Sequence, residues 1–270
     1  MLRLKNLRHQ LNLFYLALSF FSRIPVPKSS YYSPELLNQS GRYFSLVGIF
    51  LALILCLFYT LLSPYFSADV VVALIIIASL LLTGAFHEDG LTDMADGIGG
   101  GMTIEKRLLI MKDSRIGTYG AVTLCMALLL KWLTLTELAQ HSLFISALVI
   151  GYGLSRAIAG SLIFDMLYVS DSDTSKSKPL ANKQSTNELM LLLFFGCLPL
   201  LLLPFFYGVA ILISLFIFRT LFKRWLNVRI GGYTGDCLGA CQQISELIIY
   251  LALIALSAQN PTTIQPLVIN

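Results

Sequence analysis

Charged residues are scarce in this sequence. Asp, Glu, Lys and Arg make up 13% of its 270 residues, against about 25% in a soluble globular chain. Hydrophobic residues make up 56%, and the mean hydropathy is +0.76. Such a chain has too little polar surface to cover itself in water, which excludes disorder, a collagen-like repeat, a coiled coil and an ordinary soluble enzyme. Internal repeats and low-complexity segments are absent, and no polar stretch is long enough for a separate soluble domain. The five cysteines are odd in number, and Cys56, Cys125 and Cys197 lie in apolar runs, so a disulfide framework is not expected. Cys237 and Cys241 lack the neighbouring His or third Cys that a metal site needs. No small-residue cleavage site follows the basic start (Arg3, Lys5, Arg8), so the apolar stretch 11–22 reads as retained.

What remains is a polytopic, all-α membrane bundle forming one integral membrane domain over 1–270. About 20 apolar residues carry a helix across the hydrocarbon. Residues 43–63, 70–86, 119–136 and 143–164 qualify, the last two despite Lys131 and Arg156. The uncharged run 189–218 has Pro199 and Pro204 near its middle and reads as a hairpin of two short helices. Residues 247–258 span only by borrowing from 239–246. The short stretch 11–22 is expected to lie in the interface or re-enter, which gives six or seven spans in all. Of the 19 Lys and Arg, 17 fall in the groups 3–42, 106–115, 176–183 and 219–229, and the alternate connections have none. The basic groups therefore face the cytoplasm.

Six of the 15 acidic residues, Glu88, Asp89, Asp93, Asp96, Glu105 and Asp113, lie in one connection. In the run from Phe86 to Gly101, Asp89, Asp93 and Asp96 stand at i, i+4 and i+7, which is one face of a helix. Carboxylates held together repel unless a cation sits among them. Hard oxygen ligands suit Mg²⁺, or Mn²⁺, with Glu88 beside them as a further ligand. Gly97, Gly99 and Gly100 follow, and their backbone would let a phosphate approach. His87 adjoins the cluster as a hydrogen-bonding residue. A second cluster, Lys112-Asp113-Ser114-Arg115, supplies positive charge for phosphate oxygens and one more carboxylate. A third brings Gly235 and Asp236 into a glycine-rich turn. Arg156 lies within a span, where a charge is costly and normally functional.

These motifs resemble those of the cobalamin (5′-phosphate) synthase family, the adenosylcobinamide-GDP ribazoletransferases. The resemblance rests on Phe20-Phe21-Ser22-Arg23-Ile24-Pro25-Val26-Pro27, on Gly84 to Gly97 with His87-Glu88-Asp89-Gly90 and Asp93-Met94-Ala95-Asp96, and on Asp113-Ser114-Arg115-Ile116-Gly117. Ser155-Arg156 and the stretch from Gly231 to Ala240 complete it. It runs in order from residue 20 to about residue 246. Ser45 departs from an expected proline, and Gln242-Gln243 stand near a position where an acidic residue is common.

The resemblance implies a Mg²⁺-dependent enzyme of the bacterial cytoplasmic membrane, with its site on the cytoplasmic side. Such an enzyme joins adenosylcobinamide-GDP to α-ribazole or its 5′-phosphate and releases GMP. The metal would sit among Asp89, Asp93, Asp96 and Glu88. Lys112, Arg115, Ser114, Gly97, Gly99, Gly100, Gly235 and His87 would bind substrate. Asp113, Asp236 and Arg156 would act in the chemistry, with Asp113 or Asp236 as a further metal ligand or as the group that takes the hydroxyl proton. The implied partners are the two small-molecule substrates, the bilayer, other enzymes of cobalamin assembly and further copies of the chain, with no nucleic acid. A CDP-alcohol phosphotransferase or a prenyltransferase uses comparable Asp-rich sites. The first expects an Arg after Asp-Gly, and the second expects two separate Asp-x-x-x-Asp motifs. A transporter would place its acidic residues at mid-membrane.

Overall fold

The computed structural model describes residues 2–28, 30–170 and 183–259. Lys176 and Lys178 of the third basic group lie outside them. Among the described residues there are eleven α-helices and no β-strand, only an isolated parallel bridge between Tyr168 and Tyr233. The chain is thus all-α, as its composition requires.

Helix α1 (Leu2–Phe21) packs on α2 (Pro34–Ser40) and α3 (Phe44–Leu62). Ser33 caps α2 by accepting from the Leu36 N–H at 3.1 Å, and Pro34 takes the first helical position, where no N–H is needed. A 3₁₀ turn, Gly41–Tyr43, joins α2 to α3. Helix α4 (Ala68–Thr83) follows, then α5 (Phe86–Gly100), the short α6 (Ile104–Met111), α7 (Thr118–Gln140) and α8 (Phe144–Asp165). Helix α9 (Thr186–Cys197) runs into a 3₁₀ segment, Leu198–Leu202, before α10 (Phe205–Ile230) and α11 (Gly235–Gln259). The break at 198–204 coincides with Pro199 and Pro204, and it divides the run 189–218 between a short α9 and a long α10. The last span does take in residues N-terminal to 247.

Five helical stretches are long and apolar enough to cross a membrane: Pro34–Leu62, Thr118–Gln140, Phe144–Asp165, Phe205–Ile230 and Gly235–Ala258. α4 and α5 qualify together as a sixth, broken by a bend of 87°, and Thr186–Leu202 is a shorter apolar helix. α1 is not among them. The bend replaces the continuous span expected over 70–86. Gly84 and Ala85 both adopt left-handed backbone, with φ of 67° and 56°. Glycine enters that region freely and alanine does not, so the surrounding packing holds the turn. One such contact is the Arg23 N–H, which donates to the Leu82 carbonyl at 2.7 Å.

α8 is the central helix, buried at every position from Ala147 to Leu162. Small residues on it admit close neighbours: Gly151 faces Tyr250 of α11, Gly153 faces Ile49 of α3, and Gly160 faces Leu192 of α9. The outer helices turn large apolar side chains outward, among them Val122, Met126 and Leu133 on α7 and Ile213, Phe216 and Leu221 on α10. A belt of that kind is at home in lipid, where it costs nothing to expose.

Candidate active site

The acidic helix α5 lies between α7 and α11 and is fixed at both ends. At its deep end Glu88 is buried. Its Oε1 accepts from Gln243 Nε2 at 3.0 Å and stands 3.8 Å from Lys131 Nζ. Lys131 donates to Gln243 Oε1 at 2.8 Å and lies 3.1 Å from Glu246 Oε1. Glu246 also accepts from Gln242 Nε2 at 2.6 Å and from the Tyr250 hydroxyl at 2.9 Å. Gln242 reaches Ser155 Oγ at 3.0 Å. Arg156 stands nearby, donating to the Tyr152 carbonyl at 2.9 Å, with its guanidinium 4.7 Å from the Tyr152 ring centre and 5.7 Å from that of Phe44. Tyr152 in turn hydrogen-bonds Ser79 of α4. Two buried carboxylates thus face two buried cations, and the centre of the bundle is neutral without any ligand.

At its shallow end α5 caps α7. The Asp96 carboxylate accepts from the Gly117 N–H at 2.7 Å and the Gly120 N–H at 2.8 Å. These donors belong to the first turn of α7, which has no intrahelical acceptors for them and favours a negative charge. A Cβ on either glycine would run into Asp96, so the glycines at 117 and 120 match an acid at 96.

Between these anchors lie the remaining carboxylates. Asp89 is exposed, while Asp93 and Asp236 are half-buried. Asp93 is within electrostatic reach of Asp89, Asp236 and Asp96. Asp236 comes close because α5 and α11 pack through glycines. A Cβ on Gly90 would stand 3.0 Å from the Asp236 carbonyl, and one on Gly239 would stand 3.1 Å from that of His87. Thr234 Oγ1 donates to Asp236 Oδ2 at 3.2 Å and accepts from the Cys237 N–H at 3.4 Å, which starts α11. Among the described residues no Lys or Arg forms an ion pair with Asp89, Asp93 or Asp236. Nor do three His, Cys, Asp or Glu side chains there stand close enough to enclose a metal. Magnesium does not ask for enclosure: it keeps waters and takes one or two carboxylates plus substrate phosphates. Uncompensated hard oxygens facing an open side are a donor set of that type.

The structure therefore divides the expected site. It brings Asp89, Asp93 and Asp236 together, gives Asp96 to the start of α7, and turns Glu88 toward Lys131. Gly97 meets Met111 and the Arg107 carbonyl, and Gly99 meets the Tyr119 ring, so both let α6 and α7 close on α5. Gly100 is exposed, with Ile110 3.5 Å from a Cβ built there. Lys112, Ser114 and Arg115 lie exposed on the connection between α6 and α7. There Arg115 grips Asp113 with contacts of 2.5–3.1 Å, which hold the Asp113 carboxyl down to about 2. Gly235 opens α11 beside Asp236. His87 is buried among aromatic rings. Sequence reasoning missed Lys131 as a partner of Glu88, and missed Glu246 altogether. The signal was Gln242, Gln243 and Glu246 standing polar within a span.

Fold and site together define a polytopic, all-α membrane protein with a carboxylate cluster at the bundle end where α7 and α11 begin. Residues 13–254 match the family described as cobalamin-5-phosphate synthase, and the chain belongs to that family. It is 58% identical over 253 residues to the adenosylcobinamide-GDP ribazoletransferase of Vibrio parahaemolyticus, covering 94% of this chain and 96% of that one. The proteins of that name from Vibrio cholerae and Shewanella pealeana are 57% and 52% identical, over 92% of this chain and 95% and 97% of theirs. No solved structure matches the chain.

Proposed function

We propose that this protein joins adenosylcobinamide-GDP to α-ribazole or its 5′-phosphate, the assembly of the nucleotide loop of cobalamin, with release of GMP. Family membership over 242 of 270 residues, 13–254, is the observation that carries the activity. A CDP-alcohol phosphotransferase or a prenyltransferase has no comparable support. The protein works in the bacterial cytoplasmic membrane with its site on the cytoplasmic side, a reading supported by the basic groups at 106–115 and 219–229, which adjoin the start of α7 and the end of α10.

One or two of Asp89, Asp93 and Asp236 would hold Mg²⁺, or Mn²⁺. Bound there, the ion supplies charge neutralisation to the diphosphate and its leaving phosphate. The protein's own groups do the rest. Whichever of Asp93 and Asp236 is not engaged by the metal takes the proton from the attacking 3′-hydroxyl, both being half-buried at the cluster. Lys112 and Arg115 meet the phosphates, Arg115 by releasing Asp113. Asp96 and Glu88 fix the helix that carries the cluster, and Arg156 keeps the bundle centre neutral. Turnover of adenosylcobinamide-GDP with α-ribazole 5′-phosphate by membranes carrying the protein, with and without Mg²⁺, tests the reading. A GMP yield independent of the ribazole would sink the transferase assignment, and turnover unchanged by chelation would sink the metal.

A further inference from the structure

Beside the carboxylate cluster is a crevice that the chemistry above leaves unused. It is a slot of about 30 Å³ walled by Phe20 and Phe21 of α1, Phe44 of α3, Phe86 and His87 of α5 and Leu238 of α11. Three of its rings lie in nearly parallel planes. Phe21 and Phe44 stack at 3.9 Å and 18°, Phe44 and His87 at 5.6 Å and 13°, and Phe21 and His87 at 6.4 Å and 12°. Phe86 turns its edge to them, at 74° to Phe21 and 86° to His87. Parallel rings framed by an edge-on ring are a wall against which one more flat ring can stack. His87 is the sole polar side chain in the lining. It is 2% exposed, and its Nε2 is buried with no hydrogen-bond partner. An orphaned buried polar atom is costly unless something completes it. The crevice also touches the cluster: Gly235 lines it next to Asp236, and Asp89 is two residues beyond His87.

We propose that this crevice receives the planar base of α-ribazole, with His87 Nε2 donating to the unsubstituted ring nitrogen. The assignment rests on the function proposed above. The competing flat ring is the guanine of the other substrate. Guanine carries a row of donors and acceptors, and walls of Phe, Leu and Gly would leave them unpaired. A dimethylated benzimidazole has one free ring nitrogen and two methyl groups. One polar wall atom therefore matches one polar ligand atom. With the base in the crevice, its ribose falls beside Asp236 and Asp93, where the 3′-hydroxyl must react. A bicyclic ring needs more room than the slot now has. The base therefore requires Phe86, which is 39% exposed, and Phe20, which is half-buried, to rotate aside.

The test uses the full protein in liposomes. Equilibrium dialysis compares labelled α-ribazole with the matching indole riboside, in which the free ring nitrogen is replaced by C–H. Initial rates then give KM for each substrate in wild type and in His87→Phe, which keeps the ring and removes the donor. Loss of one such hydrogen bond is expected to weaken binding about tenfold. The wild type should therefore bind the indole riboside about tenfold less tightly, and His87→Phe should abolish that difference. The variant should raise KM for α-ribazole and leave KM for adenosylcobinamide-GDP unchanged. Equal wild-type affinity for the two ribosides would overturn the proposal. So would a KM shift confined to adenosylcobinamide-GDP, which would give the crevice to guanine. The dialysis needs no turnover, so an inactive wild type would defeat the functional reading while the riboside comparison still decides the crevice.

Discussion

Lys131→Met removes one cation from the neutral centre of the bundle and leaves Glu88 and Glu246 facing Arg156 alone. Lys131 Nζ stands 3.1 Å from Glu246 and 3.8 Å from Glu88. At an effective dielectric of about 20 these attractions are worth roughly 5 and 4 kcal/mol gross. Removing the lysine also saves its own desolvation, several kcal/mol for a buried ion, so the net cost is about 3–5 kcal/mol. The long apolar stem of methionine fills the lysine's space, so little of this loss is packing. Thermal unfolding in detergent reads it directly, and a fall of about 10 °C is expected for a chain of this size. The decisive comparison is Lys131→Met with Glu246→Gln, which removes one charge of each sign. The double variant should recover at least half of the loss, because no uncompensated charge remains. Wild-type stability in Lys131→Met, or strictly additive losses in the pair, would refute the reasoning.

Two aspartates of α5, Asp93 and Asp96, should separate by assay. Asp93→Asn should accumulate normally and lose at least ~100-fold in rate at fixed Mg²⁺, the scale set by losing several kcal/mol of charge stabilisation. Asp96→Asn should instead lose about 1 kcal/mol of stability as a weakened cap on α7, with a smaller effect on rate, and thermal melts beside initial rates distinguish the two. Arg156→Leu should fall in stability and activity together, because it unbalances the same buried charges, whereas full activity would show the residue to be dispensable. For topology, single cysteines at Ser114 and Gln140, at opposite ends of α7, should label from opposite faces of the membrane. Labelling of both from one side would reverse the assignment.

Much of the fold is legible in the sequence because a bilayer makes strict demands. Long apolar runs mark α3, α7 and α8, Pro199 and Pro204 mark the break before α10, and the 3.6-residue period of Asp89, Asp93 and Asp96 marks α5. The bend at Gly84-Ala85 is not legible. A left-handed alanine is held by contacts such as that from Arg23, and composition does not record it. The site was half legible for a related reason. Periodicity puts Asp89, Asp93 and Asp96 on one face, but it does not say which neighbour each meets. Glu88 finds its partner Gln243 155 residues away, and Lys131 finds its own 112 residues away. Such pairings are settled by how helices pack. Nor does periodicity show that Asp96 accepts from the Gly117 and Gly120 N–H groups at the start of α7.

The fastening of α5 at both ends has a mechanical consequence. A helix tied at one end can swing or slide to separate like charges along its length. This one is tied to Lys131 and Gln243 below and to the start of α7 above, and its glycines lock into those of α11 between. The crowding of Asp89, Asp93 and Asp236 therefore has no backbone motion to relax into. The repulsion between them is met instead at the side chains and by the solvent that reaches the exposed Asp89. The empty and charged forms of the site should accordingly differ very little in backbone, and binding should be felt in side chains and in the occupancy of that small space.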